Sequence, residues 1–435
     1  KLVTSGLIKT IFTIMTIKNK PELLAPAGNL EKLKTALAHG ADAVYCGLPD
    51  FSLRTRVNDF SLEDIKEGIV YAHALGKKVY ITLNIIARNN HLAKLKSHVR
   101  KLKTLKPDAI FIADPGVLEI VKAIWPGARL SLSTQANCTN IASARFWAKQ
   151  GFKRLILSRE LGIKEIAAIK AGLKNTEIEV FVHGALCSSY SGRCFLSDYF
   201  SGRSANLGDC AQPCRWEYEI KPYGHEKSLI VGEDTHGTYF LNSKDLCLLE
   251  RLPEIVHAGV NALKIEGRAK SVYYLANVVG AYRRALDLIA AGKAKAVLRK
   301  ELSFLKSELT EKLNQRGYTE GFMFTREDNL QNYEGNFPDS PWEFCGQVIS
   351  SLKQGKHFIL LVKVHNTLLA DDELEIIAPA YRVNQIKAAA MRDAETGDEI
   401  YEAHGGGGNS HILITSAKNW PAYSVLRRRL RKTSS

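Results

Sequence analysis

Five cysteines crowd one stretch of this chain: Cys187, Cys194, Cys210, Cys214 and Cys247, the first four within 28 residues. Thiolates gathered this densely, with no secretory signal, point to a bound metal or an iron–sulfur cluster rather than to disulfides. The spacing is Cys-x6-Cys-x15-Cys-x3-Cys, with Cys247 after 32 more residues. It lacks the two tight pairs of a zinc ribbon; only Cys210 and Cys214 are close. By ligand type alone, soft thiolates suit zinc and iron–sulfur equally, so a structural zinc is the plain alternative to a redox centre. Five thiols also exceed four ligand positions, which leaves one spare. Cys46, Cys138 and Cys345 are isolated in sequence and read as buried apolar thiols.

The elements that position these thiols are marked by short apolar runs alternating with amphipathic segments. Strands are expected at Glu22–Ala25, Ala43–Cys46, Lys78–Leu83, Ala109–Ile112, Arg129–Ser133, Arg154–Ser158, Glu177–Val182 and Asn261–Ile265. Helices are expected between them, among them Leu30–His39, Leu62–Leu75, His91–Leu105, Ala142–Gln150 and Lys164–Ala171. Gly or Pro closes many of these (Gly40, Gly76, Pro126, Gly151, Gly259). Eight such strands make an α/β fold of the (β/α)8 barrel type, residues 21–292. A doubly wound open sheet is the alternative, weakened because no G-x-G-x-x-G follows the first strand.

Barrel chemistry sits at the C-terminal ends of the strands. Cys187 falls just past the seventh strand, so the cysteines are expected in an insertion, 187–247, lying over the barrel mouth. Polar residues at other strand ends should gather there: Asn84, Asp114, Gln135, Asn137, Arg159, Glu160, His183, Glu266 and Arg268, with Arg54, Arg56 and Asn58 from the loop after the second strand. His183, Glu179, Glu266 and Arg268 are the catalytic candidates. Arg54, Arg56, Asn84, Gln135, Asn137, Arg159 and Tyr190 are the substrate-binding ones. A mouth rich in Arg suits a dicarboxylate or a phosphate, because the guanidinium fork contacts such anions at two points.

Beyond the eighth strand, a long helix over Val272–Ala291 and a charged one over Leu298–Leu313 lead through a linker region (293–340) to a different pattern. From about Trp342 short alternating strands are expected: Glu343–Ile349, His357–Val364, Glu373–Ile377, Glu399–Tyr401 and His411–Ile414. They suggest a small all-β, barrel-like domain over 341–425, followed by a basic tail (426–435) containing Arg427, Arg428, Arg429, Arg431 and Lys432. Residues 1–20 read as an N-terminal extension, with Met15 the expected start. No apolar run approaches the roughly 20 residues of a membrane helix, so a cytoplasmic protein is expected. Sixty Lys+Arg against 45 Asp+Glu give a net charge of +15, which favours a polyanionic partner.

The segment Glu179-Val-Phe-Val-His183-Gly184-Ala-Leu-Cys187, continued by Tyr190-Ser-Gly192-Arg-Cys194-Phe-Leu-Ser197, resembles the signature of the U32 "peptidase" family. Further agreement comes from ELLAPAG (Glu22–Gly28), ADAVY (Ala41–Tyr45), SLRTRVNDF (Ser52–Phe60), SRELG (Ser158–Gly162), PCRWEY (Pro213–Tyr218), HGTYFLNSKDL (His236–Leu246), LKIEGR (Leu263–Arg268) and RGYTEGF (Arg316–Phe322). The resemblance spans almost the whole chain. It implies a (β/α)8-type barrel with cysteine ligands to a 4Fe–4S cluster: Cys187, Cys194, Cys210, and either Cys247, which is favoured, or Cys214. Within the family the chain looks most like the branch implicated in making 5-hydroxyuridine at wobble position 34 of tRNA. That branch implies prephenate as a possible co-substrate and the tRNA anticodon arm as partner. Related activities in the family imply rRNA cytidine or a quinone precursor as alternative substrates.

The historical family name asserts proteolysis. The residues argue otherwise: there is no H-E-x-x-H and no G-x-S-x-G, and neighbouring thiolates make ligation a better use of Cys187 than a nucleophilic pairing with His183.

Overall fold

Each expected barrel strand is a run whose side chains are nearly all buried, as parallel strands covered on both faces require. The computed structural model describes residues 20–216, 243–325, 340–406 and 410–430, with the backbone alone of 233–234 and 237–238. The expected start at Met15 and the last two basic residues, Arg431 and Lys432, lie outside the described residues.

The strands are β1 (Glu22–Pro26), β2 (Ala43–Cys46), β3 (Lys78–Leu83), β4 (Ala109–Ile112), β5 (Leu130–Leu132), β6 (Arg154–Ile156), β7 (Glu177–Ala185), a short β8 (Asp245–Cys247) and β9 (Ala262–Ile265). Strands β1 to β7 pair in parallel, each with the next. β9 then pairs with both β7 (Ala262↔Glu179) and β1 (Glu22↔Ala262), closing an eight-stranded parallel barrel. Side-chain caps start the surrounding helices where the sequence places Asn or Ser before an apolar period: Asn29, Asn140 and Ser271, and Ser61 with Asp64 in a capping box. Among the described residues no helix is long and apolar enough to cross a membrane.

Two parts of the expected fold are corrected. First, no separate cysteine-rich insertion is evident after the seventh strand among the described residues. Residues 187–216 form four short helical turns laid directly on the mouth. Backbone bonds from Thr55 to Gly208 (3.1 Å) and from Ile86 to Asn206 (3.0 Å) tie them down. Gly208 (φ +95°) permits this approach, because a Cβ there would stand 2.7 Å from the Ser52 carbonyl. Cys247, the expected end of the insertion, belongs instead to β8, which pairs antiparallel with the end of β7 (Cys247↔His183).

Second, the C-terminal β domain is an open sheet, not a barrel. From edge to edge its antiparallel strands are Arg382–Lys387, Glu373–Ala378, Val425–Arg429, Trp342–Gln354, His357–Val364, His411–Ser416 and Arg392–Asp393. The edge strands do not meet. One is polar and half-exposed, and the other has two residues, too few backbone groups to close a cylinder. Arg427–Arg429, expected in a basic tail, forms part of a central strand. Arg427 is fully buried, where it pairs with Glu308 (2.5 Å) on helix Lys295–Lys312 and with Glu375 (2.6 Å) of the sheet. Those carboxylates, unseen in the local sequence, turn a solvated charge run into the joint between sheet and barrel. Gln347 to Thr35 (3.1 Å) and His39 to the Tyr423 carbonyl (2.9 Å) extend that joint.

Candidate active site

The mouth of the barrel opens on a cavity of about 1060 Å³, its open end included. Thiols and cations share its wall: Cys187, Cys194, Cys210 and Cys214 stand with Arg54, Arg159, Lys264 and Arg268. Burial raises the Cys214 thiol, and Cys187, Cys210 and Cys194 add to that rise while Arg215 opposes it; the four sulfurs thus feel one another. No three His, Cys, Asp or Glu side chains among the described residues converge on a single ion point. The four thiols are part of the cavity wall.

The cations differ in their settings. Arg268 is buried, its Nη1 donating to Ser52 Oγ (2.6 Å), Asn58 Oδ1 (3.3 Å) and Thr82 Oγ1 (3.3 Å), while its Nε has no partner among the described residues. Arg54, in a left-handed conformation (φ 65°), approaches Glu266 at 3.7 Å. Burial opposes the Arg54 charge, but Glu266, Cys187 and Cys210 outweigh it and hold the group further in its charged form. Arg159 lies 3.8 Å over the Phe181 ring and donates to the Ala185 carbonyl (2.7 Å). Asn84 and Gln135 complete the polar lining. Asn84 Nδ2 donates to Ser133 Oγ (3.2 Å) and Gln135 Oε1 (3.3 Å), and its Oδ1 accepts from the Leu53 amide.

Lys264, not among the site residues expected from sequence, is buried in the cavity wall. Its ammonium lies 3.8 Å from the Tyr45 ring centre and 4.0 Å from that of Phe111, with Glu179 behind it at 3.1 Å. Burial pushes its pKa down to about 8, against the pull of Glu179. The signal was available: one Lys inside the apolar run Ala262–Ile265, at the alternate position that points into the barrel. Glu179 itself is fully buried and spends both oxygens on Lys264 and Arg154, so it steadies the cavity floor without lining it.

Other expected site residues lie elsewhere. His183 is buried among Tyr274, Tyr282 and Tyr318, with ring centres 5.9, 5.5 and 5.4 Å away, and it does not line the cavity. Burial pushes its imidazole down to about 3, and among the described residues it makes no hydrogen bond to Cys187. Arg56 points outward to Asp209 (2.7 Å). Asn137 holds a left-handed turn (φ 54°), and Tyr190 is exposed at the rim of a neighbouring cleft. Cys247 is buried away from the other thiols, beside Tyr282, and burial pushes it up to about 11. Gly184 (φ +104°) allows a close approach of β7 to the chain after β9, where a Cβ would meet the Glu266 carbonyl at 2.4 Å. Gly184 and Ala185 pair with β8, beyond the last β7–β9 pair at His183, and the chain then reaches Cys187 in the cavity wall.

A (β/α)8 barrel whose reactive side chains converge at its C-terminal mouth is an enzyme architecture. Residues 28–332 match the model of peptidase family U32; the chain belongs to that family and is an enzyme. It is similar to tRNA hydroxylation protein P of Haemophilus influenzae, 38% identical with 88% of this chain and 92% of that protein covered. The protein of the same description from Escherichia coli is 40% identical, with 84% and 88% covered. A 23S rRNA 5-hydroxycytidine C2501 synthase from Escherichia coli is 35% identical over 83% of this chain and 53% of that protein.

Proposed function

We propose that this enzyme hydroxylates a tRNA uridine, at C5 of the wobble position 34, with a 4Fe–4S cluster held by Cys187, Cys194, Cys210 and Cys214. The single observation that carries the reading is the convergence of four soft thiols on one cation-lined cavity at the barrel mouth. The donor set suits the cluster by its chemistry, since four soft thiols line one cavity at the mouth. Such a cluster would supply single electrons at the mouth.

The chain's own residues do the rest. Arg54 and Arg268 reach a common anion, and prephenate, a dicarboxylate, is the co-substrate that two guanidinium groups would clamp. Arg159, flat on Phe181, offers a third cation. Tyr45, Phe111 and Phe181 exclude water from the floor and give a flipped base an aromatic wall. Lys264 holds a proton at Nζ that it can release near neutral pH, with Glu179 and Arg154 fixing its position. A uridine in a single-stranded loop enters such a site at low unstacking cost.

Nucleoside mass spectrometry of tRNA from a deletion strain tests the reading, and loss of 5-hydroxyuridine derivatives is the expected result. Protein purified without oxygen should be brown and carry about four irons per chain; a colourless, zinc-loaded protein would remove the redox centre. The relative that acts on 23S rRNA favours a second reading, cytidine hydroxylation. Intact tRNA beside rRNA lacking 5-hydroxycytidine would select it.

A further inference from the structure

We propose that helix Leu92–Leu105 is the track on which this enzyme holds the phosphate backbone of its RNA; this rests on the reading of the substrate as an RNA. The helix carries Lys94, Lys96, Arg100, Lys101 and Lys103 and no carboxylate, with Lys106 as its C-cap. All six cations are exposed. The helices before and after it around the barrel, Leu62–Ala74 and Pro115–Ile124, carry both signs.

Stability does not account for this pattern. Lys94 and Lys96 sit in the N-terminal half, where the helix dipole disfavours cations, and Lys96 and Arg100 are like charges one turn apart. Lys94 pairs with Asp50 (2.9 Å) and Lys103 donates to the Ile124 carbonyl (3.1 Å). Lys96, Arg100, Lys101 and Lys106 make no ion pair among the described residues. Four exposed cations with no carboxylate partner among the described residues, in a chain of net charge +15, fit a polyanion.

The helix starts at the site. It follows the loop after β3, in which Ile86 donates to the Asn206 carbonyl (3.0 Å), and the Asn206 side chain grips the backbone of Cys194 at 3.1 and 3.2 Å. The basic face thus leads from the thiol-lined mouth down the barrel flank for about 20 Å at 1.5 Å per residue. Beside Cys194, Phe195 is 77% exposed, a ring on which a base next to the target can stack. The helix's apolar face (Leu95, Val99, Leu102) is buried in the barrel, so it has no face left to insert into a lipid surface.

The test compares the full-length protein with a Lys96→Glu/Arg100→Glu/Lys101→Glu variant. A control carries the same charge change at the exposed Lys293, Arg299 and Lys300. Binding of an anticodon stem-loop RNA is followed as a function of salt, and iron content reports the integrity of the mouth. The helix variant should keep its iron, bind about tenfold or more weakly, and lose about 2 to 3 from the log–log salt slope, at roughly 0.9 per phosphate contact. The control should match wild type. An unchanged slope in the helix variant, or an equal loss in the control, overturns the proposal, as does loss of binding to phosphatidylserine vesicles with RNA binding intact. A normal slope change together with a deletion strain whose tRNA and rRNA are both fully modified would leave the track standing and sink the hydroxylation reading.

Discussion

In the folded chain His183 is enclosed by three tyrosines, and its pKa falls from 6.5 to about 3. Burial is the main cause; Asp245 opposes the fall and Lys270 adds to it. Between those two pH values the unfolded chain binds a proton at this residue and the folded chain does not. Stability must therefore drop as pH falls through that window. Each pH unit below 6.5 costs about 1.4 kcal/mol, so going from pH 7 to pH 5 removes roughly 2 kcal/mol through this one ring. His183→Gln cannot titrate. The variant should be less stable at pH 7 by about 2–4 kcal/mol from lost packing, yet its further loss on acidification should be smaller than wild type's by roughly 2 kcal/mol. His39 and His98, both held down to about 4 by burial, titrate in both proteins and cancel in the comparison. Urea unfolding at the two pH values measures the difference. Equal acid losses in the two proteins would refute the reasoning. A rate–pH inflection between 6 and 7 that disappears only in His183→Gln would restore the ring as a general base.

The other predictions concern thiols and buried charges. Serine at Cys187, Cys194, Cys210 or Cys214 should each strip iron and abolish modification, while Cys247→Ser should keep its iron; the reverse pattern for Cys214 and Cys247 would restore Cys247 as the fourth ligand. Lys264→Met leaves the buried Glu179 with Arg154 alone and should cost about 3–5 kcal/mol by chemical denaturation, with modification lost. Lys264→Arg should recover stability before activity, and no stability loss in Lys264→Met would contradict the buried pair. Arg427→Ala leaves Glu308 and Glu375 sharing Lys312 alone at the joint between sheet and barrel and should also cost about 3–5 kcal/mol. Adding Glu308→Gln, which leaves Lys312 paired with Glu375, should return part of that loss, and a normal unfolding midpoint for Arg427→Ala alone would show the pairs to be idle.

The barrel was legible because its strands are short apolar runs bounded by Gly or Pro, and both signals are local. Ala43–Cys46, Lys78–Leu83 and Ala109–Ile112 fall where the runs do. Val425–Arg429 was not legible as a strand, because three consecutive arginines read as solvated until Glu308, Glu375, Glu343 and Asp372 arrive from elsewhere in the chain. Lys264 was hidden for the same reason. Its ammonium is acceptable inside the barrel only because Glu179, two aromatic rings and the closure of β9 on β1 surround it.

Residue order alone determined the alternation of strand and helix, the family, and the gathering of thiols just after the seventh strand, since periodicity and spacing are properties of neighbours along the chain. Tertiary structure alone decided that Cys214 faces the cavity and Cys247 does not, that His183 lies among three tyrosines, and that the C-terminal sheet stays open. Those outcomes depend on which way each side chain points and which distant group meets it, and both are set only when the barrel closes.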